Sequence, residues 1–250
     1  MERGADLRLV QGTTPGARVS DYVITPPAQA SLAISGTQSR FPVRRVYCVG
    51  RNYEKHVLEM NEGADLRDPP FFFQKPADAI VEDGATVPFP PMTDDLQHEV
   101  ELVACIGTGG ANIPVADALD HVAFYAVGID LTRRDLQFRA REKSWPWEMG
   151  KSFDHSAPIG PLTPVSESGH GVRGISLTVN GVERQNSDTA HMTWSVAEVI
   201  SRLSEQYRLE PCDIILTGTP EGVGVLRPGD VVVARADGVS TLTVTIGESA

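Results

Sequence analysis

The chain has 250 residues, of which 41% are apolar, which suits one sizeable core and is too high a share for a disordered chain. Acidic residues outnumber basic ones by 33 to 22, so the formal net charge is −11. A surface this negative repels phosphate backbones and excludes nucleic acid as an expected partner, although a cation in a pocket would still admit a small anion.

The cysteines indicate the compartment. Cys48, Cys105 and Cys212 are odd in number, far apart and set in apolar runs. This pattern matches neither a disulfide framework nor a zinc site, so buried, reduced thiols in a cytoplasmic protein are expected. The N-terminus lacks the apolar core of a signal peptide, and there is no run of 18 apolar residues, so a membrane partner is not expected.

The first half of the chain begins with segments of low periodicity. Residues 1–20 are polar and predict a flexible N-terminal extension, and residues 21–45, with three prolines, predict an irregular wrap or short edge strands. The periodic pattern then begins with a strand at 45–49 and a short helix at 53–60 that Asn52 could cap. Further strands are predicted at 71–73, 98–106 and 124–129, with helices at 114–120 and 131–142.

The second half contains a hairpin at 176–185, because Asn180-Gly181 is a strong two-residue turn. An amphipathic helix follows at 193–207, and strands are predicted at 213–217, 231–234 and 242–246. Strands dominate and several are joined by hairpins rather than helices. The pattern therefore favours an α+β, mainly β, architecture over a doubly wound sheet.

Three carboxylates could hold a metal. In a strand, Glu99 and Glu101 point to the same face, with Val100 and Leu102 on the apolar side, and Asp130 ends another buried strand. Paired carboxylates repel each other, and a divalent cation between them removes that conflict. Oxygen ligands select a hard ion, Mg²⁺, Mn²⁺ or Ca²⁺, over zinc. The alternatives are hydrated glutamates at a sheet edge and an aspartate that caps a helix.

An acid–base pair and two lysines are further candidates. His56 and Glu59 lie three residues apart on the predicted short helix, so the carboxylate could orient the imidazole as a general base. An exposed ion pair is the alternative. Lys75 and Lys151 could each bind a substrate carboxylate or a developing oxyanion, or could extend along the surface to solvent.

The segment 218–224 is a glycine-rich loop without the Gly-Lys-Ser/Thr ending of a phosphate-binding loop, so nucleotide binding is not expected. A tight loop that exposes Thr219 and backbone N–H groups to a ligand suits this composition better.

Taken in order, these motifs closely resemble the fumarylacetoacetate hydrolase family over about four-fifths of the chain. The motifs are Gly50-Arg51-Asn52-Tyr53 with His56 and Glu59, Lys75-Pro76, His98-Glu99-Val100-Glu101-Leu102, Asp130 to Gln137, Lys151-Ser152-Phe153-Asp154 and Leu216 to Gly224. A narrower likeness, in residues 71–79 and 154–161, is to short bacterial members that act on fumarylpyruvate in gentisate breakdown. Residues 1–20 have no counterpart in this resemblance.

The resemblance implies a mixed β-sandwich roll at 46–250, one Mg²⁺ or Mn²⁺ per chain at Glu99, Glu101 and Asp130, and a homodimer. It implies that residues 52–68 form a lid that carries His56 and Glu59. It also implies that the site is lined by residues matching Arg51, Lys75, Arg134, Gln137, Lys151 and Thr219.

The activity implied is hydrolysis of a carbon–carbon bond in a small anionic 2,4-dioxo acid, with fumarylpyruvate giving fumarate and pyruvate. His56, held by Glu59, would take a proton from water, and Lys151 and Gln137 would stabilise the oxyanion. The alternatives are an acylpyruvase, and an oxaloacetate decarboxylase or keto–enol isomerase that needs no attacking water. A non-catalytic metal-binding protein is a further reading, against which the intact His56–Glu59 pair argues.

Overall fold

A computed structural model describes residues 22–60 and 68–249. The predicted extension at 1–20 and part of the predicted lid, 61–67, lie outside the described residues. The strands of the first half are β1 (Ser31–Ala33), β2 (Arg40–Pro42), β3 (Arg45–Gly50), β4 (Phe71–Lys75), β5 (Ile80–Val81), β6 (Thr86–Phe89), β7 (Leu96–His98), β8 (Val100–Ile106) and β9 (Val122–Ile129).

The strands of the second half are β10 (Thr132–Arg133), β11 (Ala157–Pro158), β12 (Thr163–Pro164), β13 (Gly174–Val179), β14 (Val182–Asp188), β15 (Asp213–Leu216), β16 (Gly224–Val225), β17 (Val231–Ala236) and β18 (Leu242–Ser249). The α-helices are α1 (Glu54–Met60), α2 (Arg134–Glu142), α3 (Glu148–Lys151), α4 (Val165–Ser168) and α5 (Val196–Gln206). Short 3₁₀ helices span Ala77–Ala79, Val115–His121 and Thr189–His191.

Two large sheets organise the fold. The first has the order β12-β9-β8-β15-β3-β4 and the second has the order β14-β13-β17-β18-β6. Most neighbouring strands are antiparallel, but β15 pairs with β3, and β18 with β6, in parallel. A three-stranded sheet, β10-β7-β16, and two short pairs complete the arrangement. Strand accounts for 39% and helix for 22% of the residues that the structure describes, so the prediction of a mainly β, α+β fold is confirmed.

The first sheet is buried on both faces, which explains the nearly continuous apolar run of β8. Leu102 and Ala104 face one core cluster with residues of the second sheet, including Leu177 and Val232. Val103 and Cys105 face the opposite cluster, which β1 and β2 cover with Leu32 and Phe41. This double burial holds β8 rigidly, and β8 carries one of the candidate ligands.

Turn and cap chemistry fixes two elements locally. The hairpin prediction is confirmed, because β13 and β14 pair through Asn180 and Gly181, whose φ angles are +51° and +76°. Helix α5 starts at a capping box, in which the side chain of Ser195 accepts from the N–H of Glu198 and Glu198 reaches back to Ser195.

Several predicted elements are corrected. The single strand at 98–106 is two strands in different sheets, with Glu99 between them, because β7 pairs with β10 and β16. The helix expected at 131–142 begins at Arg134, since Thr132 and Arg133 pair with β7. The segment 114–120 is a 3₁₀ rather than an α-helix. The side chain of Asn52 does not cap α1; it bonds Trp194 and the carbonyl of Thr217.

The thiol prediction is correct in part. Cys48 and Cys105 are buried and free, whereas Cys212 is free but half-buried, in a turn with a φ of +78°. Across the described ranges, no helix has both the length and the apolar character needed to cross a membrane.

Candidate active site

Three carboxylates meet where β8 begins and β9 ends. Glu99 occupies the break between β7 and β8, Glu101 is the second residue of β8, and Asp130 follows β9 directly. The backbone N–H of Asp130 donates to the carbonyl of Glu99 at 2.8 Å, which draws the strand ends together. One oxygen from each carboxylate lies within 4.8 Å of the others, and all three residues are buried.

Buried cations surround this group. The ammonium of Lys151 donates to Glu99 Oε2 at 2.7 Å, Asp130 Oδ2 at 2.8 Å and Thr132 Oγ1 at 2.8 Å. Its three hydrogens are therefore all engaged. Arg134 binds the other oxygen of Glu99 at 2.5 Å, and Lys75 Nζ lies 2.8 Å from Asp130 Oδ1. Neither lysine extends to solvent, since each is 2% exposed.

The carboxylates differ in their proton affinity. Burial raises the pKa of Glu99, but Lys151 and Arg134 outweigh it and hold that pKa below its ordinary value. Burial raises the pKa of Glu101 well above its ordinary value, and the charges of Asp130 and Glu99 add to the rise. Burial lowers the pKa of Lys151, but Asp130 and Glu99 outweigh it and leave the pKa raised. Glu101 is therefore the member of the group that lacks a cation.

The residues suit a divalent metal. The donor set is oxygen only, which matches the preference of Mg²⁺ and Mn²⁺. Among the described residues, no hydrogen bond reaches the buried Asp130 Oδ1; Lys75 Nζ lies 2.8 Å away but donates to the carbonyls of Leu131 and Lys151. Glu101 receives only the N–H of Gly218, at 2.7 Å to Oε2, among the side-chain hydrogen bonds of the described ranges. Vacant lone pairs on buried carboxylates are what a cation would use.

Helix α1 covers the carboxylates from one side. His56 is buried and lines the same pocket as Glu99, Glu101 and Asp130, and its Nδ1 lies 3.2 Å from Glu59 Oε2. Burial raises the pKa of Glu59, but the hydrogen bond and charge of His56 outweigh it and lower the pKa. The sequence left open an exposed ion pair at this position. In the structure His56 is instead buried and faces the pocket.

The glycine-rich loop supports this helix. The N–H of Gly222 lies 3.3 Å from each oxygen of Glu59, and Lys55 pairs with Glu221 at 3.3 Å. Gly222 has a φ of +90°, and a Cβ there would lie 2.3 Å from the carbonyl oxygen of Arg184. Only glycine suits this position, so a close backbone approach accounts for the glycine at this point of the loop.

The remaining predicted residues divide into two groups. Arg51, Arg134, Gln137, Lys151 and Thr219 line the pocket above the carboxylates. Gln137 accepts from Arg134 at 2.6 Å through Oε1, and no side-chain hydrogen bond within residues 22–60 and 68–249 uses its NH₂ group. Lys75 is not brought to the pocket; it contacts Asp130 and lines a separate surface cavity beside Phe71 and Trp147.

Gln185 is a residue that sequence reasoning missed. It is 1% exposed, and its Oε1 accepts from the N–H of Val100 at 3.0 Å and from His98 Nδ1 at 2.9 Å. Its Nε2 donates to Thr219 Oγ1 at 2.8 Å and to the carbonyl of Pro220 at 3.0 Å. One side chain thus joins both neighbours of Glu99 to the loop. The sole sequence cue is a polar residue at an inward-facing position of β14.

Comparison with known proteins agrees with this geometry. The family described as fumarylacetoacetate (FAA) hydrolase C-terminal matches residues 45–247. A curated fumarylpyruvate hydrolase of Ralstonia sp is 40% identical over 177 residues, 71% of this chain and 92% of that relative. The mitochondrial oxaloacetate tautomerase FAHD1 of Homo sapiens is 37% identical, over 86% of this chain and 98% of that relative.

A solved structure extends the likeness to three dimensions. Fumarylpyruvate hydrolase from Pseudomonas aeruginosa, in complex with Mn²⁺ and pyruvate, is 50% identical with a TM-score of 0.88, over 92% of this chain and 100% of that one. The chain belongs to the fumarylacetoacetate hydrolase family, as its motifs predicted. Among family members described by activity, it is similar to fumarylpyruvate hydrolases in both sequence and structure.

Proposed function

We propose that the protein hydrolyses a carbon–carbon bond of an acylpyruvate in a reaction that depends on Mg²⁺ or Mn²⁺, with fumarylpyruvate giving fumarate and pyruvate in gentisate catabolism. One observation carries this proposal: His56, which contacts Glu59, lines the same pocket as a buried group of three carboxylates. The similarity to two fumarylpyruvate hydrolases, one of them with Mn²⁺ and pyruvate bound, supports it.

The proposed chemistry assigns each residue one task. Glu99, Glu101 and Asp130 would hold the cation, which supplies Lewis-acid polarisation of the 2-oxo acid and neutralises charge that develops on the pyruvate product. His56, oriented by Glu59, takes a proton from water, and the water oxygen attacks the carbonyl of the acyl group. The bond to the pyruvate carbon breaks, the acyl carbon keeps the hydroxyl as a carboxylic acid, and the pyruvate carbon gains a proton.

Charged and amide groups complete the assignment. Within the described residues, the NH₂ group of Gln137 makes no side-chain hydrogen bond and is assigned to donate to the oxyanion, and Lys151 places a positive charge beside the oxyanion from the pocket floor. Arg51 and Thr219 contact the substrate at the pocket wall. Arg134 and Lys75 hold Glu99 and Asp130 in place as counter-charges, and Arg134 also orients Gln137. Aligning a bound acid with these groups would lower the entropic part of the barrier.

The domain bounds, the lid, the compartment and the oligomeric state are also part of this proposal. Residues 46–250 would form the catalytic domain, with 1–20 an extension, 21–45 a wrap and 52–68 a lid. We expect a cytoplasmic homodimer. Light scattering of the purified protein would give the mass of the assembly.

A second candidate is tautomerisation or decarboxylation of oxaloacetate, because relatives at 37–39% identity carry the name oxaloacetate tautomerase. Product identification distinguishes the two. The protein should be given fumarylpyruvate, other acylpyruvates and oxaloacetate, with and without Mg²⁺ or Mn²⁺. Release of pyruvate and a second acid supports hydrolysis, whereas carbon dioxide or keto–enol exchange without cleavage of any acylpyruvate would replace it with the second candidate.

A further inference from the structure

Two guanidinium groups at the pocket rim have no carboxylate partner among the residues that the structure describes. Arg51 and Arg141 both line the pocket and are exposed, whereas the three carboxylates at its floor are buried. Arg134, in the same pocket, is bound to Glu99. By contrast, none of the ion pairs formed within residues 22–60 and 68–249 includes Arg51 or Arg141. In a chain with net charge −11, cations in a pocket that pair with no described carboxylate favour an anion there.

Aromatic rings hold both groups at the rim. The guanidinium of Arg51 lies 5.7 Å from the ring centre of Phe71, and that of Arg141 lies 5.1 Å from the ring centre of Phe138. Arg141 also donates one hydrogen bond, at 3.3 Å, to the carbonyl of Met60 at the end of α1. Most of the N–H donors of each fork therefore stay available, and this planar fork matches a carboxylate.

Apolar side chains form the wall between the floor and the rim, including Val49, Val57, Phe73 and Trp147. A ligand that satisfies the whole pocket has an oxygen-rich anionic head, a flat apolar middle and a second anionic group at its far end. A neutral acyl chain would leave the rim cations unused.

We infer that Arg141, together with Arg51, binds the distal carboxylate of a dicarboxylic acylpyruvate, and that Arg141 determines specificity for this class over neutral acylpyruvates. This inference rests on the proposed function and narrows its substrate class. Arg51 is a substrate-binding candidate from the sequence, whereas Arg141 carries no motif and enters only through its place in the pocket.

The test compares two substrates that differ at one group. Fumarylpyruvate and crotonylpyruvate share the same unsaturated chain, but crotonylpyruvate has a methyl group in place of the distal carboxylate. We expect Arg141→Gln to lower the ratio of kcat/KM for fumarylpyruvate over crotonylpyruvate by about 10-fold or more, mainly through KM, because a charge-assisted hydrogen bond is lost. Arg141→Lys should keep part of the preference, since it keeps the charge but not the fork.

A matched control comes from the same helix. Arg139 is exposed, contacts Trp145 rather than the pocket, and should leave the ratio unchanged when replaced by Gln. If Arg141→Gln lowers kcat/KM equally for both substrates, the inference is overturned, and the role of Arg141 is to support α1 through its hydrogen bond to Met60. An unchanged ratio would also overturn it. If the native enzyme cleaves neither substrate, the proposed function fails; if it cleaves both and the ratio stays constant, only the inference fails.

Discussion

The carboxylate of Glu59 accepts the backbone N–H of Gly222, at 3.3 Å from each oxygen, while its Oε2 lies 3.2 Å from His56 Nδ1. The same group therefore orients the imidazole and fastens α1 to the loop that carries Thr219. Helix α1 has only seven residues, and helices this short are not stable on their own. These contacts and the buried side chains of His56 and Val57 hold it over the pocket.

The first prediction concerns the mobility of the proposed lid, residues 54–68, of which the structure describes 54–60 and 68. Without ligand, its amides should exchange quickly, because its sequence is charged and has little apolar content. Oxalate with Mg²⁺ should protect it, since closure brings His56 to the bound acid and excludes water. Hydrogen exchange with and without oxalate and Mg²⁺ measures this, with β8 as the protected reference. Strong, equal protection in both states would mean that the segment is fixed.

The second prediction concerns the base. His56→Ala should lower kcat by roughly 10²–10⁴, the range for loss of a general base, without changing metal affinity. Glu59→Gln should cost less, because it removes orientation and polarisation but leaves the imidazole. Steady-state kinetics with fumarylpyruvate and calorimetric titration of Mn²⁺ give the two quantities. A kcat near the native value in His56→Ala would argue for the oxaloacetate-type reaction, which needs no attacking water.

The third prediction concerns the cation site. Glu101→Ala should abolish turnover and remove the rise in Tm that Mg²⁺ or Mn²⁺ gives the native protein, because a ligand that binds only the folded state stabilises it by mass action. Glu183→Ala, an exposed glutamate on β14, is the control and should keep both properties. Full metal-dependent activity in Glu101→Ala would remove this residue from the ligand set.

The fourth prediction concerns pH. Burial, Asp130 and Glu99 raise the pKa of Glu101, so the cation-free fold favours the protonated carboxyl. Its contribution to stability is present below the unfolded pKa of about 4.3 and is lost as pH rises through the raised pKa. A cation must displace this proton, so metal affinity should increase with pH until Glu101 is ionised. Calorimetry in two buffers of different ionisation enthalpy should detect proton release; binding without it contradicts the assignment.

The fifth prediction concerns Gln185. Gln185→Leu leaves Val100, His98 and Thr219 with unmatched buried groups, each costing about 1–3 kcal/mol, so Tm should fall. Metal affinity should also weaken by roughly 10-fold or more, as for other residues that position ligands. The neighbouring exposed residue gives the control, Asn186→Leu. A lower Tm with unchanged metal affinity would limit Gln185 to a structural role.

Sequence patterns predicted the features that depend on residues close together in the chain. Asn180-Gly181 gave the hairpin because both residues adopt positive φ readily. Glu99, Glu101 and Asp130 were grouped by strand alternation and by strand ends. Glu99 lies in the break between β7 and β8 rather than inside a strand. The three carboxylates still meet, because the N–H of Asp130 donates to the carbonyl of Glu99 and draws the two residues together.

Long-range pairing explains what the sequence could not supply. Burial of Lys75 and Lys151 depends on carboxylates that lie 55 and 21 to 52 residues away in the chain. The contacts of Gln185 form because the β13–β14 hairpin lies against both the break at Glu99 and the loop that carries Thr219. Propensity and periodicity carry no information about such contacts.

The ring of charges around the carboxylates has a consequence for the order of binding. With Glu101 protonated, two ionised carboxylates face three cations, Lys75, Lys151 and Arg134, so the cation-free cluster carries a charge of +1. A divalent ion that displaces this proton raises the charge to +2 in an acidic protein. A dianionic acid is then attracted to the floor more strongly than before. The ion should therefore bind first, and each ligand should tighten the binding of the other by the same factor.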